Sequence, residues 1–279
     1  MAFPKQMKRL LGLPDDAAAS AASDEPAIAT DLGLRDAAFS SWFNDATGEL
    51  FRGVPITADD IVADVGCGEG GWLSFCARQG AHVIGIDHDA AAIERARARI
   101  EPTAARRKEF HVLAAEQLPV ADGFATRVIC TEVLEHVDDP AVVLRELVRI
   151  GAPGAIYLIT VPDPVAEGVQ QKVAPPLYFQ RPNHLRILPR AEFRRLVSDA
   201  GLEIVEVGRY GFYWSVWWAM FWACDVDLAS PAHPALDNWA RAWSALLDTA
   251  DGPRVKEALD DVMPKSQVIV ARKPAGKIG

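Results

Sequence analysis

The sequence predicts an α/β domain, and three observations carry the prediction. The run Ile61-Val62-Ala63-Asp64-Val65 is apolar and stops in Gly66, Gly68, Gly70 and Gly71, after which helix-like spacing begins, so a strand turns into a helix over a bound ligand. Strand-like and helix-like stretches then alternate as far as residue 207, the pattern of a parallel sheet covered by helices. The second strand-like run, His82 to Asp87, ends in a carboxylate at the strand end where open α/β sheets bind ligands. At 279 residues and 30.3 kDa the chain can hold one such domain with a lid or an insertion.

The glycines clear side chains from the ligand's path, and the following helix presents free N–H groups and its positive end, which suits a carboxylate or phosphate. Gly66, Gly68 and Gly71 also satisfy the dinucleotide pattern G-x-G-x-x-G. Asp64 and the later run Thr131-Glu132-Val133-Leu134-Glu135-His136-Val137 separate the two readings. With them the chain resembles class I S-adenosylmethionine (SAM) dependent methyltransferases over residues 55–210, in particular the ubiquinone-biosynthesis O-methyltransferase type. Their first motif, Asp-x-Gly-x-Gly-x-Gly, is matched by Asp64, Gly66, Gly68 and Gly70. The resemblance implies a Rossmann-like, doubly wound, seven-stranded sheet with an antiparallel last strand and an N-terminal helical lid. It also implies SAM as cofactor, held at its methionyl end by the turn that includes Asp64, Gly66, Cys67, Gly68 and Gly70.

In chain order, residues 1–30 read as a flexible tail, because Asp15 to Thr30 is rich in Ala, Ser, Asp and Pro and has few large apolar side chains. Residues 31–279 read as the methyltransferase domain. Asp31 to Phe51 reads as helical, with Phe39, Trp42 and Phe43 on one side and Gly48 near the end. The resemblance makes this helix the lid and makes Trp42 an acceptor contact. Gly70 to Gln79 reads as a helix stopped by Gly80. Asp87 is placed to accept hydrogen bonds from the ribose hydroxyls of an adenosine. His88 would lie against the adenine, where the family carries an apolar residue.

Residues 89–100 read as a solvated helix, and Phe110 to Ala114 as the third strand. Ala115-Glu116-Gln117-Leu118-Pro119 resembles the family segment bordering the adenine. Ala114 stands in place of its aspartate, which leaves recognition to backbone at Ala115 and to Glu116. Val128 to Thr131 is the fourth strand, and Asp139-Pro140 starts the next helix. In the family, backbone at the position of Thr131 meets the methionine part, and the Leu-Glu-His run, here ending in His136, lies beside the transferred methyl. Ala155 to Val161 is the fifth strand, followed by a variable loop over residues 162–188. Within it His184 and Arg186 resemble a His-x-Arg segment and are candidates for acceptor contacts. His136 and His184 are the candidate general bases for a hydroxyl acceptor. Arg190 to Ala200 reads as a helix and Leu202 to Val207 as the sixth strand, with Gln267 to Arg272 available as the last.

Residues 211–265 form an insertion that the family does not usually carry. It opens on 210–224, a stretch without charge whose aromatics surround a helix on every side and must therefore be buried in core, pocket, subunit contact or membrane interface. Fifteen residues are too few to cross a bilayer comfortably. Trp217 and Trp218 are its candidate acceptor contacts, and a homodimer or a peripheral membrane contact would use the same residues.

A net charge of −9 gives no basic footprint for nucleic acid. The four cysteines lack C-x-x-C spacing, which fits free thiols in a reducing, cytoplasmic setting. No Asp/Asn/His cluster argues for a catalytic metal. The expected function is methyl transfer to a hydroxyl of a bulky or apolar metabolite. An NAD-binding oxidoreductase and a non-catalytic SAM-binding or docking protein stay open as alternatives.

Overall fold

The computed structural model describes residues 27–228 and 231–275. The stretch 1–26, most of the expected tail, lies outside the described residues, while residues 27–30 of that tail belong to a helix, Ala27–Phe39 (α1). Three short strands follow, Trp42–Asn44 (β1), Glu49–Phe51 (β2) and Val54–Pro55 (β3), paired antiparallel into a small sheet. The expectation of one helix across residues 31–51 is thereby corrected. Ser41 and Phe43 hold positive φ values that no helix accommodates, and the Asn44 side chain accepts from the N–H groups of Ala46 and Thr47, so the chain reverses there.

The main sheet begins with Ile61–Val65 (β4), and Gly70 in the left-handed region leads into Gly71–Arg78 (α2). His82–Asp87 (β5), Ala90–Ile100 (α3), Arg107–Val112 (β6), Ala125–Thr131 (β7), Pro140–Ile150 (α4) and Gly151–Pro162 (β8) continue the alternation. The third strand starts and ends earlier than expected, because its pairing with β5 begins at His82–Arg107 and stops at Asp87–Val112. Asp89 and Asp139 cap α3 and α4, each accepting from the N–H two residues on.

Residues 162–188 are not a loop. They contain Pro164–Val173 (α5) and a short 3₁₀ turn, Pro176–Phe179. The Asp-Pro signal that starts α4 recurs at Asp163-Pro164, and Asp163 accepts from the N–H of Val165. Arg190–Asp199 (α6) and Glu203–Tyr210 (β9) lead to the aromatic helix Phe212–Cys224 (α7). Pro234–Leu247 (α8), Gly252–Val262 (α9) and the strand Ser266–Arg272 (β10) complete the order.

The seven strands lie in the order β6-β5-β4-β7-β8-β10-β9, and β6, β5, β4, β7 and β8 are mutually parallel. Hydrogen bonds join Gly154 and Ala155 to Lys273, while Gln267 reaches the carbonyl of Pro162. Rising numbers on β8 thus meet falling numbers on β10, which makes the last strand antiparallel as expected.

Two compact units emerge. The sheet unit holds residues 41–162, 188–208 and those from 267 onward, and its core packs Val65, Ile86, Val128, Leu144, Ile159 and Phe193 between strands and helices. The helical unit is assembled from α1, residues 163–187 and residues 209–266, so the N-terminal helix, the region expected as a loop and the insertion belong together. Leu32, Tyr213, Trp217, Phe221, Trp243 and Leu247 form its core. Inside it the buried Lys256 ammonium lies 2.5 Å from Asp260, 2.6 Å from Ser40 Oγ and 3.6 Å from Asp36, and Asp36 also accepts from the Trp243 indole N–H.

Candidate functional site

Backbone geometry builds the site first. Gly66, Gly68 and Gly70 all hold positive φ, and the N–H groups of Gly66 and Cys67 both donate to the carbonyl of Ile86, tying the turn to the end of β5. A Cβ on Gly66 would collide with Val133 Cγ2, whereas a Cβ on Gly68 would project into open space, with nothing within 4 Å. The first glycine therefore serves packing against the loop after β7. The second leaves room for a ligand.

Asp87 has a task that the spacing did not reveal. Its Oδ2 accepts from the Gly68 N–H at 2.8 Å and its Oδ1 from the Asp89 N–H at 2.9 Å, so the carboxylate braces the glycine turn itself. Each carboxylate oxygen keeps a further lone pair, which leaves acceptors for ribose hydroxyls. His88, 82 % exposed, sits beside it with Nδ1 3.3 Å from Asp87. Asp64 is fully buried, and both its carboxyl oxygens lack a hydrogen-bond partner among the described residues. Burial, reinforced by the nearby Asp87, pushes its pKa up to about 8, so the group is mostly neutral at pH 7. The Cys67 thiol is likewise pushed well up by burial and is no thiolate.

Thr131 is buried at the end of β7, paired with Thr160 on β8. The next residue, Glu132, is a non-glycine residue held at φ 56°, with its carboxylate accepting from Thr160 Oγ1 at 2.9 Å and its N–H donating to the Thr160 carbonyl. Strain of this kind persists where surroundings impose it and is frequent at functional sites. His136 follows, its N–H bonded to Val133 and its Nε2 3.7 Å from Glu135. Beyond β6, Ala115 is half-buried and Glu116 exposed. Glu146 accepts from the Leu118 N–H and Arg149 donates to the carbonyls of Leu118 and Val120, so α4 fixes this segment. The sequence places Glu132 at this sheet edge, but neither its left-handed backbone with the bonds to Thr160 nor the Glu146/Arg149 grip was found from sequence.

One edge of the sheet unit, the C-terminal ends of β4, β5 and β7, thus gathers Asp64, Gly66, Cys67, Gly68, Gly70, Asp87, His88 and Thr131. The orphaned carboxyl of Asp64, the open space at Gly68 and the carboxylate of Asp87 fit a ligand that combines polar and charged groups with a ribose, as SAM does. Trp42 belongs to the same unit but is 1 % exposed, packed 4.8 Å from Phe51 and 4.4 Å from Trp72 between ring centroids. It packs in the small sheet, which corrects its placement on a helical lid.

His184, Arg186, Trp217 and Trp218 belong to the helical unit. His184 Nδ1 lies 2.7 Å from the Glu167 carboxylate, and its Nε2 lies 3.4 Å from the Tyr178 hydroxyl. Arg186 is half-buried. Trp217 is 5 % exposed and stacks on Phe221, so it is a core residue, while Trp218 is half-buried. Among the described residues no helix is long and apolar enough to cross a membrane.

Comparison with known proteins agrees with this geometry. A family model described as a methyltransferase domain matches residues 43–207. The chain is 33 % identical over 143 residues to a probable S-adenosylmethionine-dependent methyltransferase of Mycolicibacterium smegmatis, a match that covers 51 % of this chain and about half, 52 %, of that protein. It is 28 % identical over 167 residues to the ubiquinone biosynthesis O-methyltransferase of Aeromonas salmonicida, covering 58 % of this chain and 67 % of that one. Geranyl diphosphate C-methyltransferase from Streptomyces coelicolor A3(2), solved with Mg2+, geranyl diphosphate and S-adenosyl-L-homocysteine, shares the fold. Its TM-score is 0.57 at 18 % identity, over 90 % of this chain and 86 % of that chain.

Proposed function

Because the chain belongs to the class I SAM-dependent methyltransferase family, we propose that it transfers a methyl group from SAM to a small-molecule acceptor, a hydroxyl of a bulky or apolar metabolite. The observation that carries the reading is the glycine turn, with open space at Gly68 and Asp87 bound to the Gly68 N–H. Family membership sets aside the dinucleotide reading of the same glycines.

Bound SAM supplies a methyl group on a sulfonium, already activated for displacement. What remains for the protein is to hold, align and deprotonate. Gly66, Gly68 and Gly70 receive the methionyl end, Asp87 the ribose, and the Ala115-Glu116 backbone the adenine edge. Of the two candidate bases, His184 has the better support, because a buried carboxylate engages its other ring nitrogen. His136, at the end of the sheet unit, is the alternative. Arg186 and Trp218 are the acceptor contacts, in place of the buried Trp217. Relatives named for ubiquinone biosynthesis favour an oxygen acceptor, and the neighbour named as a C-methyltransferase shows carbon served by a similar fold.

Calorimetry with SAM and with NAD, followed by incubation of labelled SAM with a small-molecule extract, tests the proposal. SAM is expected to bind and NAD to give no heat, with label passing into a metabolite. Absence of SAM binding overturns the reading. Binding without label transfer would mark a non-catalytic SAM-binding protein instead.

A further inference from the structure

In the helical unit, α5 carries two polar side chains one turn apart, Glu167 and Gln170, and each is only 4 % exposed. Their burial needs partners, since an unmet polar group away from water costs more than a hydrogen bond returns. Gln170 Oε1 accepts from the Trp222 indole N–H at 2.7 Å. The Trp222 ring meets Tyr178 edge-on at 5.3 Å, and Tyr178 lies against the His184 ring at 4.5 Å. Glu167 Oε2 lies 2.7 Å from His184 Nδ1, and the Tyr178 hydroxyl is 3.4 Å from both Glu167 Oε1 and His184 Nε2. The imidazole is thus held at its edge by a carboxylate and flanked by a tilted aromatic ring.

The chemistry of the pair fixes the proton. An ionised carboxylate only accepts hydrogen bonds, so the neutral ring must carry its hydrogen on Nδ1. The lone pair is then on Nε2, the nitrogen away from Glu167. Glu167 lies in the first turn of α5, at the positive end of that helix. We infer that Glu167 is the positioning residue of His184, fixing the tautomer in which Nε2 is the basic nitrogen and stabilising the imidazolium formed when that nitrogen takes a proton from an acceptor hydroxyl. The catalytic use of the pair rests on the reading of His184 as the base.

The test uses the full chain labelled with ¹⁵N-histidine, with the His184 signals assigned by their loss in His184→Gln. Nitrogen shifts should report hydrogen on Nδ1 in the wild type and movement toward the Nε2–H form in Glu167→Gln, whose amide can donate to Nδ1. Label transfer from SAM to the extract should fall about 10²-fold or more in Glu167→Gln at unchanged SAM affinity. Glu167→Asp, which restores the charge, should recover part of both signals. A wild-type ring with hydrogen on Nε2 overturns the inference, as does a Glu167→Gln variant that keeps either the wild-type tautomer or wild-type turnover while His184→Gln is inactive. Wild-type turnover in His184→Gln overturns the reading of His184 as base, and the catalytic use of Glu167 with it.

Discussion

Gly66 and Gly68 resist substitution for different reasons, and the difference can be measured. Gly66→Ala must hold a left-handed backbone and displace Val133, so it should lose about 2–4 kcal/mol of stability in urea titrations. Gly68→Ala meets no neighbour and should lose only about 1–2 kcal/mol, yet its methyl enters the cofactor's space and SAM affinity should fall further than stability does. Asp87→Ala should weaken SAM binding by about 1–3 kcal/mol, and unchanged affinity in a folded variant would remove the ribose assignment. Asp64 sets a pH dependence. Its folded pKa, about 8, lies above the ordinary 3.8, so the folded state binds more protons than the unfolded chain between those values. Stability therefore falls as pH rises from about 4 to about 8, and Asp64→Asn, neutral throughout, should flatten that slope in melting experiments. These residues were legible because the motif is local, a fixed spacing of glycines and acids around one strand end. The left-handed backbone of Glu132 was not, since nothing in its neighbours' identity announces it. The pairing of Glu167 with His184, 17 residues apart across a turn, has no sequence period.

At the level of elements, β4, β5 and α3 were readable because pattern and end signals agreed within one segment, and α7 because a long uncharged aromatic run must be buried. Residues 31–51 misled because aromatic side chains at helical spacing can equally line a tight hairpin, and Trp42, Phe43 and Phe51 do so. In residues 162–188 the prolines serve two purposes, since Pro162 ends β8 while Asp163-Pro164 starts a helix, and a proline after an apolar strand reads first as its end. The aromatic helix α7 places Trp217 in the core of its unit and Trp218 at its margin. Trp217→Ala should cost about 3–5 kcal/mol, which makes it a poor probe of acceptor binding. Trp218→Ala should cost less and raise the acceptor KM if the margin meets substrate. A companion test is Gly33→Ala, where a methyl on α1 would stand 2.7 Å from the Trp214 ring and should push the two helices apart, lowering the melting temperature.

At the level of the molecule, two units with separate cores should lose protection separately. Hydrogen exchange on Trp217→Ala is expected to speed amides in α1, α8 and α9 while those of β4, β5 and β7 keep wild-type rates. Equal acceleration everywhere would show one cooperative block. The interleaving of the units was beyond sequence reading, because it depends on partners far apart in the chain. Asp36 meets Trp243, and Ser40 meets Lys256, across 207 and 216 residues. During synthesis at about 5–20 residues per second, α1 therefore waits roughly 10–40 s for those partners to be made. The sheet waits too, since β10 must slide between β8 and β9. The sheet unit cannot close around a nascent chain that has not passed residue 272, so a ribosome halted earlier would display an open sheet edge to whatever chaperone stands at the exit.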